Sequence, residues 1–213
     1  MAKVILYGPD YSTHVRMIRL CLIEKGVDYE SRPVDILRGA NRRPDFLKLQ
    51  PFGRVPVLVH DDFTLYETSA IARYVDEAFK GPKLQPTDKK DAARMNQLIS
   101  IIEAEGYTPI VTEILAPRAK HAFLGQQPDI ERIKKATPEA VRCLKVIDGM
   151  IGDGGFVVGK ALSLADLYLA SIMAYFAHTP EGKAILTRLP KLSAWWQDMA
   201  KRPSIVETNP PIS

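Results

Sequence analysis

The chain has 213 residues, of which 46% are apolar and 25% charged, so it can bury one large core or two small ones without a metal or disulfide staple. Its net charge of +4 is mild, and the basic runs at 38–43 and 89–94 are short and mixed, which argues against nucleic-acid binding while suiting the steering of a small anion. Cys21 and Cys143 stand far apart and the four histidines are isolated, so no metal site is expected and a reduced, cytoplasmic setting is; no signal peptide or anchor stands at the N-terminus, and the apolar run 164–177 is too short to span a bilayer.

Residues 3–7 read as a buried strand stopped by Gly8-Pro9-Asp10. Residues 12–25 read as a helix, with Val15, Ile18 and Leu22 on one stripe and Gly26 at its end. A second strand is expected at 27–36, ending near Asp35, then a polar stretch with one short helix at 44–49. A hairpin follows, with strands at 55–59 and 63–66 and a turn at His60-Asp61-Asp62. The helix at 68–79 carries Ile71, Tyr74, Val75 and Phe79 at helical spacing. The order β-α-β-α-β-β-α implies a parallel pair from the β-α-β unit and an antiparallel pair from the hairpin, hence a small mixed sheet faced by helices.

The composition changes at "KGPKLQPTD" (80–88). Residues 1–79 are read as one domain, 80–86 as a linker and 87–213 as a second domain with no strand in it. There, Thr87 is a candidate cap, and Ala92, Met95, Ile99 and Ile102 form a buried stripe. Gly106 and Pro109 should bend or interrupt that helix before 110–117. Residues 129–151 read as helical, with Thr137-Pro138 either inside one helix or starting another. The helix at 164–177 is apolar nearly all round and should be central. A last helix is expected at 191–201, before Pro203. "SLAD" (163–166) reads as a capping box, and Trp195 and Trp196 read as packing.

Four pieces now combine: "LQPFGRVPVL" (49–58), "LYETSAIARYV" (65–75), "GKALSLADLYLA" (159–170) and "PKLSAWWQDMAKRPSI" (190–205). In this order and at these distances the chain resembles a cytosolic glutathione transferase, most similar to the phi class and its bacterial relatives. The resemblance implies a thioredoxin-like N-terminal domain that binds glutathione and an all-α helical-bundle C-terminal domain that forms most of the electrophile pocket. It implies glutathione as co-substrate with no further cofactor, a small apolar electrophile as second substrate, and a homodimer. In that dimer Phe52 either enters the partner or packs at home.

The resemblance also assigns residues. Pro56 follows a cis bond, and the N–H and C=O of Val55 pair with the ligand as an added strand would. Glu67 meets the ligand's α-amino group. Thr68, at a helix start whose free N–H groups attract a carboxylate, binds its α-carboxylate. Asn41 and Arg42 stand where the family often has His and Lys on the glycine carboxylate. Arg42 keeps the cation, Asn41 departs from the pattern, and Arg54 is placed to reach the ligand or to stay at the surface. Tyr11, Tyr107, Ile110, Val111 and Ile114 are the candidates for the electrophile pocket.

Transfer needs a thiolate, and a free thiol has a pKa of about 8.5. Lowering it by about two pH units takes about 2.7 kcal/mol, which a hydroxyl donor at the positive end of a helix supplies in large part. Ser12 matches the catalytic Ser of phi-like transferases. Tyr7 stands where other classes place a catalytic Tyr but also reads as core, and Thr13 is the third choice. No Cys stands in this loop, which argues against thiol-disulfide chemistry. Peroxide reduction by the same thiolate, and a non-catalytic binding or assembly module of the same fold, are the alternatives.

Overall fold

The first strand, β1 (Val4–Tyr7), is an unbroken apolar run because both its faces are covered. The computed structural model describes residues 3–209, so the ends of both expected domains (1–2 and 210–213) lie outside the described residues. α1 (Thr13–Glu24) follows, with Ser12 as its N-cap: the Ser12 Oγ accepts from the Val15 N–H at 3.4 Å. β2 is only Glu30–Arg32, far shorter than the expected 27–36, since Pro33 ends the run and offers no donor to a ladder. A 3-10 turn at Ala40–Arg42 and the short α2 (Pro44–Leu47) lead to β3 (Val57–His60) and β4 (Phe63–Tyr66). β3 starts after Pro56 rather than at residue 55, again because proline has no N–H to give. α3 (Thr68–Ala78) completes the expected order.

The sheet order is β2-β1-β3-β4. β1 and β2 are parallel, β1 and β3 antiparallel, and β3 and β4 antiparallel. The expected mixed sheet is therefore present, with α3 packed against both α1 and β4.

The remaining helices are α4 (Lys89–Ile101), a π-helical segment (Ile102–Leu115), α5 (Ala116–Leu124), α6 (Ile130–Met150), α7 (Leu164–Phe176), α8 (Pro180–Leu186), α9 (Pro190–Met199) and α10 (Pro203–Glu207). Asp88, not Thr87, caps α4, accepting from the amides of Lys90 and Asp91 at 2.9 and 3.0 Å. Gly106 and Pro109 do not break the chain; the hydrogen-bonding widens to the π pattern and absorbs them. Thr137 donates to the Ile133 carbonyl at 2.8 Å instead of capping, so α6 runs through Pro138 as one helix. α8 and α10 were not foreseen. Each begins with a proline in its first turn, where the missing N–H costs nothing.

α7 is buried on nearly every side, as its composition requires. Its first turn holds Asp166, fully buried, whose carboxylate accepts from the Ser163 amide and hydroxyl, the Val157 amide and the Trp195 indole N–H at 2.7–2.9 Å. Burial pushes the Asp166 carboxyl up, against the pull of those four donors. The capping box thus also fixes the 157 loop and α9. Among the described residues no helix is long and apolar enough to cross a membrane, and no group of His, Cys, Asp and Glu is placed to hold a metal.

The chain divides into two compact units. One runs through Gln85 and takes back the segment from Val206; the other is Pro86–Ile205. The return of the chain end has a visible cause. The fully buried Arg16 on α1 donates from Nε to the Thr208 Oγ1 at 3.2 Å and from Nη2 to the Asn209 Oδ1 at 3.3 Å. Asp76 on α3 fixes the other end of this unit. It pairs with Lys25 at 3.0 Å, both side chains being 1% exposed, and accepts from the Leu84 and Gln85 amides at 2.8 and 3.2 Å. Lys25 also donates to the Pro82 carbonyl at 2.9 Å.

Burial alone would raise the Asp76 carboxyl, but the bonds from Leu84, Lys25 and Gln85 outweigh it and hold the pKa below the usual range. Asp76→Ala leaves the Lys25 ammonium buried without its partner and should cost about 3–5 kcal/mol in urea unfolding at pH 7. Because folding lowers this pKa, the carboxylate's stabilisation is complete above its unfolded value of about 3.9 and is lost as pH falls through the folded one. Wild-type stability should drop accordingly below about pH 4, while Asp76→Asn shows a flatter profile there. Equal slopes for the two proteins would refute this role.

Candidate active site

The strand directions decide which loops meet. β2 is parallel to β1, β3 is antiparallel to β1, and β4 is antiparallel to β3. The ends of β1, β2 and β4 and the start of β3 therefore share one edge of the sheet. The register fixes this: Tyr7 pairs with both Arg32 and Val57, and Val57 with Tyr66. Ser12 follows β1, Asn41 and Arg42 follow β2, Val55 precedes β3, and Glu67 follows β4. The structure brings all of these to the same edge.

Gly8 shows how closely two of the loops approach. Its φ is +147°, and a Cβ there would meet the Val15 Cγ2 at 2.3 Å and the Val55 Cβ at 3.3 Å. The first turn of α1, which Ser12 caps, thus lies against the Val55 loop with only a glycine between. The Val55–Pro56 bond is cis. The Val55 N–H and C=O have no hydrogen-bond partner among the described residues. Ser12 accepts one long bond, and its O–H proton has no acceptor among the described residues.

Asn41 donates from Nδ2 to the Gly53 carbonyl at 2.6 Å, tying the 3-10 turn to the loop before β3. Gly53 has φ +62°, and a Cβ there would meet the Asn41 carbonyl oxygen at 2.9 Å and the Arg42 Cδ at 3.2 Å. The buried Gln50 accepts from the Arg54 amide at 3.0 Å and holds the same turn. Arg42, Arg43 and Arg54 are exposed and form no ion pair among the described residues. This corner therefore presents uncompensated positive charge.

Glu67, exposed, sits at φ 71°, ψ 115°, a backbone conformation costly for a residue with a side chain. Its carbonyl accepts the first intrahelical bond of α3, from the Ile71 amide at 2.9 Å. The amides of Thr68, Ser69 and Ala70 ahead of that bond have no intrahelical acceptor and point to where an anion would sit.

Tyr7 packs on the small core of Val34, Phe46 and Val57. Its hydroxyl accepts from the Arg32 Nη1 at 2.7 Å, so it is held on the β2 side of β1, opposite β3. Thr13 is buried, and its Oγ1 has no hydrogen-bond partner among the described residues. Tyr11 is half-buried. Burial, and less so the charge of Asp35, push its phenol up, while the Leu37 and Ile36 amides pull it down. Tyr107, Ile110, Val111 and Ile114 lie in the π-helical segment, Ile110 and Ile114 buried and the other two half-buried. Both cysteines are buried. Burial pushes the Cys143 thiol up to about 11 and raises Cys21 further, so neither is a poised nucleophile.

Residues 11–78 match the family model of the glutathione S-transferase N-terminal domain, and residues 112–207 that of the C-terminal domain. The chain is 33% identical to glutathione S-transferase F9 of Arabidopsis thaliana, over 95% of this chain and 94% of that one. The chain belongs to the glutathione S-transferase family. A second family relative, glutathione S-transferase 3 of Zea mays, is 31% identical over 98% of this chain and 94% of its own. Among solved structures, glutathione transferase F7 from Populus trichocarpa superposes with a TM-score of 0.86 at 29% identity, covering 96% of this chain and 97% of that one.

Sequence reasoning missed three contributors to this family member's site: Gly8 as the spacer between two loops, Gly53 with Gln50 as the turn-former, and Arg32 as the partner of Tyr7. Only the glycines left a trace, as breakers beside apolar runs. Gly8→Ala should overpack the contact with the stiff side chain of Val15 and cost about 1–3 kcal/mol in chemical unfolding. A loss below about 0.5 kcal/mol, within the range of ordinary surface changes, would show that Val15 and Val55 yield freely.

Proposed function

We propose that this glutathione S-transferase family member transfers glutathione to small, mostly apolar electrophiles, with the Ser12 hydroxyl donating to the glutathione sulfur. The observation that carries the reading is the contact across Gly8. Across it, the first turn of the helix that Ser12 caps lies against the Val55 loop, whose backbone N–H and C=O no other described segment uses. The cysteinyl unit of glutathione pairs with Val55, which brings its sulfur to Ser12. The positive end of α1 adds to the preference for the anion. Tyr7 is the weaker candidate because Arg32 already holds its oxygen on the far side of β1. Thr13 is weaker because its oxygen is buried.

The γ-glutamyl end takes Glu67 on its amino group and Thr68 with the α3 amides on its carboxylate. The glycine carboxylate meets the positive corner of Arg42 and Arg54, which Asn41 holds in place through Gly53. Tyr11 and the π-helical residues Tyr107, Ile110, Val111 and Ile114 are our candidates for the electrophile's surroundings. Each half of the chain is then given one substrate, as in the domain division 1–79, 80–86 and 87–213. A phi-class assignment draws support from the plant relatives, and one solved relative, glutathione S-transferase-I, is described with bound lactoylglutathione. A homodimer in the cytoplasm completes the reading. Phe52 is 62% exposed, more than a ring packed only at home would be, and that exposure supports its insertion into a partner.

The thiolate absorbance of bound glutathione against pH tests the sulfur donor. In wild type the bound thiol should titrate below the free value of about 8.5. Ser12→Ala should raise that pKa by about 1–2 pH units and lower kcat/KM at pH 6.5 roughly 10- to 100-fold, with much less effect at pH 9. Tyr7→Phe should leave the pKa in place; the reverse pattern would transfer the role to Tyr7. Arg42→Ala and Arg54→Ala should raise KM for glutathione several-fold at unchanged thiol pKa, and more so at low salt.

A further inference from the structure

The corner formed by the 3-10 turn and the loop before β3 carries more positive charge than one glycine carboxylate requires. Between Gly39 and Val55 the sequence places four cations, Arg42, Arg43, Lys48 and Arg54, against one carboxylate, Asp45. Arg42, Arg43 and Arg54 are exposed and form no ion pair among the described residues. Arginines just outside the corner do find acids: Arg38 pairs with Asp35 at 3.6 Å and Arg32 with Glu30 at 2.6 Å. The surplus is therefore local to this corner.

The two segments that bear the arginines are locked to one another. Asn41 donates from Nδ2 to the Gly53 carbonyl at 2.6 Å, and the Gly53 amide donates to the Gln50 carbonyl at 3.0 Å. The Gln50 side chain, 1% exposed, accepts from the Arg54 amide at 3.0 Å. The stem of Arg42 runs beside Gly53, where a Cβ would meet the Arg42 Cδ at 3.2 Å. Arg43 is the next residue and stands at the start of α2. Like charges fixed on one frame repel, and a bound anion relieves the repulsion.

The pairing at Val55 governs what reaches the corner. In an added strand, successive side chains point to opposite faces. With the cysteinyl side chain turned to Ser12, a side chain on the third residue leaves from the other face, away from the sulfur. We propose that the site prefers, over glutathione, a γ-glutamyl-cysteinyl tripeptide whose third residue carries a second carboxylate. Arg42 and Arg54 take the carboxylate of the peptide's end, and Arg43 takes the added one. The inference rests on the reading of the Val55 and Ser12 edge as a thiol-peptide site.

The probes are γ-Glu-Cys-Gly, γ-Glu-Cys-Gln and γ-Glu-Cys-Glu, titrated calorimetrically into the full chain at pH 7 under reducing conditions. At about 20 mM salt, where screening is weak, γ-Glu-Cys-Glu should bind about three- to fivefold more tightly than either of the others, the upper range for one exposed ion pair. At about 500 mM salt the advantage should vanish. Arg43→Gln should bring the acidic and amide peptides to equal affinity, while glutathione binding stays within about twofold of wild type, as for an ordinary surface change. Weaker binding of γ-Glu-Cys-Glu than of glutathione, equal affinity of the acidic and amide peptides in wild type, or an advantage that survives high salt or Arg43→Gln would each overturn the proposal. In those cases glutathione still binds and the transferase reading stands. If none of the three peptides binds, the thiol-peptide reading falls and this proposal falls with it.

Discussion

β3 runs antiparallel to β1, and the pairing of Tyr7 with Val57 ties the end of one to the start of the other. Had this pair been parallel, the Val55–Pro56 loop would stand at the opposite edge of the sheet from Ser12. The parallel β1–β2 pair and the antiparallel β3–β4 pair carry the polar loop after Arg32 and the Glu67 turn to the same edge. Four segments distant in sequence thereby surround one small volume. The final approach is set by Gly8, where any side chain would collide with Val15.

Each unit also carries buried polar anchors. Asp76 and Lys25 gather the chain from Pro82 to Gln85 beneath α3, and Arg16 gathers Thr208 and Asn209 against α1. In the helical unit, Asp166 does the same for the 157 loop and α9. In each case a buried acidic or basic side chain exchanges hydrogen bonds with a loop or the chain end, and Asp166 also with the Trp195 indole of α9. Burying a charge is costly unless it is so compensated, and the same bonds that compensate it fix the loops. None of these anchors has a place in the candidate site.

The candidate site was partly legible. "PFGRVP" and "ETS" marked the loops because glycine, proline and a helix-start hydroxyl each have a restricted set of backbone uses, and the cis bond at Pro56 is present as the family resemblance implied. What a linear reading lacked was the partner of each side chain. It kept Tyr7 as second choice after Ser12, because other classes place a catalytic tyrosine there and the sequence shows no partner for its hydroxyl; Arg32 supplies one. It set Asn41 among the glutathione-binding residues as a departure from the family's His, and missed its bond to the Gly53 carbonyl because that group comes from another loop. Similarly, Gly106 and Pro109 read as a break, and only the packing of the surrounding helices shows that the backbone widens to the π pattern instead.

The sequence by itself determined the element order of the first 79 residues, the change from a mixed sheet to helices near residue 80, the burial of α7 and the capping box at its start. These follow from periodicity and from the local chemistry of proline, glycine and short polar side chains, all of which act within a few residues. Tertiary structure alone decided that the chain end returns to the first unit, that Thr137-Pro138 continues a helix while Pro180 and Pro203 begin new ones, and that Arg32 takes the Tyr7 oxygen at the sheet edge. Those outcomes depend on contacts between residues far apart in the chain, and no local preference encodes the distance that folding removes.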